Sequence, residues 1–203
     1  MIEAYLVPLE TLNIEEEIKH SRFITRIFHC SGADDFRQQY KQMMAEYPGA
    51  SHYCYAYVLG KPSCDMTAGS SDDGEPSGSA GRPMLAVLQG SSVGEIAAIV
   101  VRYFGGTKLG VGGLVRAYSS GIRKGLLQLV TKTKQLRYST SLDIDYRSLK
   151  DLEYLINKYQ GIIVNQNFAE KVKLDFELPK SQLANFNQEL ATLTQGRLQA
   201  KFD

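Results

Sequence analysis

Residues 95–130 read EIAAIVVRYFGGTKLGVGGLVRAYSSGIRKGLLQLV, and the plan of the fold follows from this stretch. Ile96, Ile99, Val100 and Val101 are apolar and partly β-branched, which predicts a strand over 96–104 covered on both faces. Gly105, Gly106, Gly110, Gly112 and Gly113 predict a turn, and a helix follows over about 114–130. Leu114, Tyr118, Gly121, Gly125 and Leu129 recur on one side of that helix, and Arg116, Ser120, Arg123 and Lys124 on another. A glycine inside a helix costs about 1 kcal/mol relative to alanine, so Gly121 and Gly125 point to close packing on something flat.

The turn admits two readings. A glycine-rich turn entering a helix aims free backbone N–H groups and the positive end of the helix dipole outward, which suits a phosphate. Lys108 lies in the turn, and Arg102, Arg116, Arg123 and Lys124 flank it. The glycines could equally do no more than supply positive φ. Neither standard fingerprint is present: the run from Gly106 to Gly110 lacks the P-loop spacer and its Lys-Ser/Thr, and Val115 stands where a Rossmann turn needs its third glycine.

Charge is distributed unevenly. The chain of 203 residues has a net charge of +1, yet residues 82–137 carry nine basic groups against Glu95 alone, while residues 1–81 carry six basic and twelve acidic groups. Basic clustering of this kind is the footprint of a polyanion partner, and solvated surface lysines also produce it. Hydrophobic content of 43% and charged content of 22% are those of a soluble globular protein. Three cysteines (Cys30, Cys54, Cys64), no leader-like segment and no apolar run of membrane-spanning length predict a reduced, cytoplasmic protein that does not enter a membrane.

Working outward, alternation predicts a hairpin from Leu12–Ile18 and Arg22–Phe28. A helix over about 33–47, capped by Ser31 or Asp34, follows with Phe36, Tyr40, Met43, Met44 and Tyr47 inward. A strand over 52–59 comes next, then a long loop over 60–83 and a short helix over 84–89. Beyond Val130, the run 132–135 reads as a polar linker. The remainder predicts β-α-β-β-α-β, the ferredoxin-like plan, ending in a strand over 198–202. The fold class expected is therefore α+β in two domains, 1–134 and 135–203.

Three further groups stand out. Asp72, Asp73 and Glu75, between Ser71 and Arg82 with Gly74 among them, could hold a metal, do acid–base work, hook a basic protein, form a solvated turn, or act as an acidic clamp pairing with Arg82 or the basic helix. Their spacing is not that of a calcium loop, and a metal is not expected. His52 and Cys54 share a strand face, as a zinc pair, a nucleophile with its base, or core. Tyr53, Tyr55 and Tyr57 line the other face, as a base-stacking platform or as core.

Together the motifs KHSRF (19–23), ASH (50–52), SDDGEPSGSAGRP (71–83) and VVRYFGGTKLGVGGLVRAY (100–118) resemble the bacterial branch of the IMPACT family. The resemblance spans nearly the whole first domain, and the trailing β-α-β-β-α-β unit resembles the second domain of bacterial members. It implies a first domain like the fourth domain of elongation factor G and a second like its fifth. Eukaryotic relatives regulate translation under amino-acid starvation by competing for a kinase activator, a kinase that bacteria lack. A translation-linked binding role with RNA, the ribosome or a protein of the translation machinery as partner, and with no cofactor, is the expectation. Its contacts would be Arg102, Gly105, Gly106, Lys108, Gly110, Arg116, Arg123 and Lys124. The alternatives are an enzyme on a phosphorylated small molecule, with His52 or Asp73 as acid–base group, and a protein-interaction module using the 71–76 loop.

Overall fold

The computed structural model describes residues 4–62 and 65–201. The chain separates into two compact units, Tyr5–Lys134 and, for the most part, Gln135 onward. Both are α+β.

The first unit is built on an antiparallel sheet of five strands in the order β2-β3-β6-β4-β5: β2 Leu12–Ile18, β3 Ser21–His29, β4 His52–Val58, β5 Ala68–Ser71 and β6 Ile96–Tyr103. The central strand β6 is covered on both sides. Ala98 and Val100 face a core with Phe23, Ile27, Cys54 and Ala56. Two helices close that core, α2 (Gly81–Gln89) through Met84 and Leu88, and α3 (Val111–Gln128) through Leu114, Tyr118 and Ile122. Ala97, Ile99 and Val101 face the opposite core, which α1 (Ala33–Glu46) closes with Phe36, Tyr40 and Met43. The apolar run in β6 is thus a period-two strand serving two layers.

Gly121 and Gly125 explain the close seat of α3. A Cβ at Gly121 would stand 2.1 Å from Thr25 Oγ1, and one at Gly125 would stand 2.4 Å from Ile27 Cδ1. The hairpin between β2 and β3 turns through Lys19 (φ 49°) and His20 (φ 65°), the two left-handed residues of a type I′ turn. Gly105 meets this turn, where a Cβ would lie 1.9 Å from the His20 carbonyl oxygen.

Several elements differ from the sequence expectation. The polar run 132–135 is not a linker but part of β7 (Thr131–Gln135), paired with an unforeseen strand β1 (Ala4–Pro8). Its anchor is the buried carboxylate of Glu95, bonded to Lys134 Nζ (2.5 Å), the Tyr5 hydroxyl (2.9 Å) and His29 Nε2 (2.9 Å). The 60–83 loop contains β5, and α2 begins at Gly81 rather than 84, because Pro83 falls in its first turn, where no amide is needed. Helix α3 begins at Val111, so Gly112 and Gly113 belong to the helix and not the turn. Neither Ser31 nor Asp34 caps α1; Gly32 is the N-cap, and Ser31 bonds Asp35 instead. Met44 is exposed.

The second unit runs β8 (Arg137–Ile144), α4 (Leu149–Lys158), β9 (Ile162–Phe168), β10 (Val172–Pro179) and α5 (Leu183–Leu193), with an antiparallel sheet in the order β8-β10-β9. Leu152, Leu155, Ile156, Phe186 and Leu190 of the helices pack on Leu142, Ile144, Leu174 and Phe176 of the sheet. Leu193, placed inward by its spacing, is half exposed. The expected strand over 198–202 does not form over 198–201; Phe202 and Cys64 lie outside the described residues. Side chains take that segment's backbone donors: Leu198 N bonds Thr194 Oγ1 and Ala200 N bonds Asn187 Oδ1.

Candidate functional site

Arg102 sits near the end of β6, opposite Phe23 of β3 and His52 of β4 in register. Period-two alternation turns it to the same side as Ala98 and Val100, the side that α3 covers. The side chain is only 6% exposed. Its Nη1 donates to Glu75 Oε1 at 2.6 Å, and Nη2 lies 3.4 Å from Ser21 Oγ. The rings of Phe23 and Phe104 each stand 5.5 Å from the guanidinium carbon, while the buried Nε has no hydrogen-bond partner among the described residues. The sequence expectation for this residue, a cation offered to phosphate at the surface, is corrected: its charge is matched internally by a carboxylate.

That carboxylate belongs to the acidic run. Glu75, with a side chain 3% exposed, also accepts from the Tyr118 hydroxyl at 2.7 Å, and His52 Nε2 lies 3.7 Å away. Burial, and then the neighbouring Cys54 and Glu75, hold the Tyr118 phenol well above its ordinary value, so it stays a donor. Asp72 accepts from the amides of Gly78 (2.8 Å), Ala80 (3.0 Å) and Gly81 (2.8 Å), which folds the loop and caps α2 from outside the helix. Burial pushes its carboxyl up, but these amides and the charge of Arg82 outweigh it and hold the group below the usual carboxylate range. Asp73 Oδ2 accepts from Tyr53 N, extending the ladder beyond the end of β5, and its carbonyl oxygen lies 2.7 Å from His52 Nδ1. The three acids therefore point to three different places: Asp72 to the start of α2 and Arg82, Asp73 to the edge of β4, and Glu75 to Arg102 and the Tyr118 hydroxyl of α3. Among the described residues no cluster of His, Cys, Asp and Glu is placed to hold a metal ion.

His52 is half-buried, and Cys54 is fully buried, donating to the Asp72 carbonyl oxygen at 2.9 Å. Burial pushes its thiol up to about 12, so no thiolate stands ready at neutral pH. Tyr53, Tyr55 and Tyr57 are partly buried beneath α1, packed on the core against Phe36 and Tyr40.

The remaining cations divide between two places. Lys108 is exposed in the 104–110 turn, on the rim of a cleft of about 370 Å³ that Arg102 and Glu75 floor and Phe104, Gly110, Val111 and Leu114 wall. Gly110 (φ 72°) is the N-cap of α3 and supplies no side-chain cap, so the first three helix amides, at 111–113, have no acceptor within the helix. Gly106 (φ 82°) makes the other left-handed turn of this loop. Arg116 and Arg123, seven residues apart and so about 10.5 Å along the axis, share the outer stripe of α3 and have no ion pair recorded among the described residues. Arg123 also borders a shallow groove with Val87, Gly90 and Leu127. Lys124, on the next stripe, is bound to Glu16 at 2.5 Å. Sequence reasoning missed Phe104, Ser21, Val111 and the polar end of Tyr118. A buried tyrosine on an apolar helix face requires a partner for its hydroxyl, and that was the available signal.

Fold and site together define a two-unit α+β protein whose first unit buries an arginine–glutamate–tyrosine cluster beneath an uncapped helix N-terminus. Residues 19–126 match the Impact N-terminal domain, and residues 142–197 match a domain of unknown function, DUF1949. The chain belongs to the IMPACT family. It is 45% identical over 194 residues to an IMPACT family member of Haemophilus influenzae, covering 96% of this chain and 94% of that one. It is 43% identical to the IMPACT family member YigZ of Escherichia coli (98% and 97% covered) and 31% identical to YvyE of Bacillus subtilis (99% and 92%). A crystal structure described as that of a hypothetical protein superposes with a TM-score of 0.80 at 42% identity, over 98% of this chain and 97% of that one. Among the described residues no helix is long and apolar enough to cross a membrane.

Proposed function

We propose that this protein is a cytoplasmic, translation-linked regulatory binding protein that acts under stress and grips RNA, free or in the ribosome, through the glycine turn and the outer face of α3. In this reading the two units take the parts of the fourth and fifth domains of elongation factor G, the second on a ferredoxin-like plan. The observation that supports the RNA contact is the pair Arg116 and Arg123, two exposed arginines of α3 with no carboxylate partner among the described residues, on the helix that the turn carrying Lys108 enters. Lys124 adds charge only by leaving Glu16, and Arg102 acts from below by fixing the turn.

The contact is electrostatic, so its affinity follows salt. Three contacts to a single strand, from Lys108, Arg116 and Arg123, predict that log K falls with log salt concentration at a slope of about −2. Fluorescence anisotropy of a labelled single-stranded RNA between low and physiological salt reads this slope. A slope near zero, or no binding at low salt, removes the proposal.

A further inference from the structure

We infer that two copies of this chain pair through the C-terminal end of α3, apolar surface on apolar surface, with Arg123 of each copy set on Glu10 of the other. The surface lies within the first unit, at the opposite end of α3 from the glycine turn. Leu127 is 89% exposed, one helical turn beyond Arg123 on the same stripe, so it adds nothing to the core that α3 closes. It has apolar neighbours. Leu127 lines the shallow groove with Val87 of α2 and with Val93, and Val93 pairs with Leu6 of β1. Just past the helix, the Val130 carbonyl oxygen accepts from the Leu9 amide, and these two side chains are 50% and 49% exposed. A lone surface leucine is ordinary, but exposed aliphatic surface of the order of a few hundred Å² at one helix end marks an interaction site.

The charges at the margins of this surface select its partner. Arg123 borders it on the side of α2. Glu10 follows Leu9 and leads into β2, which flanks α3 on its other side, with Ile14 beside Gly125 and Glu16 bound to Lys124. Arg123 and Glu10 are both exposed, and neither has an ion pair among the described residues. A cation at one margin, a carboxylate at the other and aliphatic side chains between them make a pattern that a two-fold axis turns into its own complement. A second copy therefore covers Leu127 and Val130 with their counterparts and forms two equivalent Arg123–Glu10 pairs at the rim. A patch of this size falls below a standard interface, so the dimer is weak, with a dissociation constant of the order of 10–100 μM.

The test is sedimentation equilibrium of the full chain, free of RNA, from about 1 to 500 μM at physiological salt. A monomer–dimer equilibrium with its midpoint inside that range is expected. Leu127→Gln, at a position too exposed to disturb the fold, should weaken the dimer at least about tenfold. Arg123→Glu alone and Glu10→Arg alone each set like charges together in both rim pairs and should weaken it about tenfold. The two reversals combined restore opposite charges and should return the dissociation constant to within about threefold of the original. That double variant keeps a glutamate at 123, so it should still bind RNA poorly, and the failure of the RNA proposal and of this one are read separately. A chain that stays monomeric at 500 μM, or assembles beyond a dimer, overturns the inference. So does a dimer indifferent to Leu127→Gln or to the single reversals, or a double reversal no better than the singles.

Discussion

Glu75→Ala removes one carboxylate and strands two donors at once. In the folded protein Glu75 Oε1 accepts from Arg102 Nη1 at 2.6 Å and from the Tyr118 hydroxyl at 2.7 Å, and the side chains of Glu75 and Arg102 are 3% and 6% exposed. Removing one partner of a buried ion pair costs about 3–5 kcal/mol, because the other charge stays out of water without compensation. The loss at Tyr118 overlaps with this cost and does not add to it in full. We expect about 4 kcal/mol, or about a thousandfold in the opening equilibrium. Whole-chain denaturation would mix two units, so the measurement is amide hydrogen exchange at Val100 and Val101 of β6, with Leu174 of β10 as the internal reference. Exchange should accelerate about a thousandfold in β6 and stay unchanged in β10. The variant Glu75→Leu with Arg102→Met should recover most of the loss, because it leaves no buried charge behind. A single-variant effect below about fivefold, or a double variant no better than the single, would refute the claim that the pair is desolvated and coupled.

Gly121→Ala gains about 1 kcal/mol of helix propensity but drives a methyl group into Thr25 on β3, so a net loss of about 1–3 kcal/mol is expected by exchange in α3. Gly125→Ala should cost less, since the Ile27 Cδ1 it meets is the end of a flexible side chain. Asp72→Asn should cost about 2 kcal/mol near neutral pH by weakening the charge-assisted bonds from Gly78, Ala80 and Gly81. The folded carboxyl of Asp72 titrates below its unfolded value of about 4, so its stabilisation is complete above that value and is lost as pH falls through the folded one. The variant's acid stability profile should therefore be flatter below about pH 4. Cys30 and Cys54, both pushed up to about 12 chiefly by burial, should resist alkylation at pH 8 in the folded protein, as peptide mapping would show; rapid labelling of either would contradict their placement.

The layered plan of the first unit was legible because it rests on local signals. The unbroken apolar run of β6 announced two cores, and the spacing of Tyr118, Gly121 and Gly125 announced the face of α3. Arg102 was misjudged because alternation gives the side of a sheet on which a residue stands but not what crosses over it. Its partner lies 27 residues upstream in a run of acids that resembles a solvated turn in every local respect. The same reason hid β7, whose lysines and threonines look like a linker until Glu95 is seen to anchor Lys134. Asp72 was read as one of a set of like charges, whereas its neighbours' amides fold around it alone. That no strand forms over 198–201 has a comparable origin: Thr194 and Asn187 compete for the donors that a sheet edge would use.

The central claim is that a polyanion lies along α3, and the decisive measurement is single-stranded RNA affinity at fixed low salt for two paired charge reversals. Arg116→Glu with Arg123→Glu alters the exposed stripe of α3; Lys171→Glu with Lys173→Glu alters exposed lysines of the second unit by the same net charge. The account predicts a loss of at least about tenfold for the first pair, with the salt slope shallower by about 1.4, and a change within about twofold for the second. Equal losses from the two pairs would contradict it, because the binding would then follow net charge and not this surface.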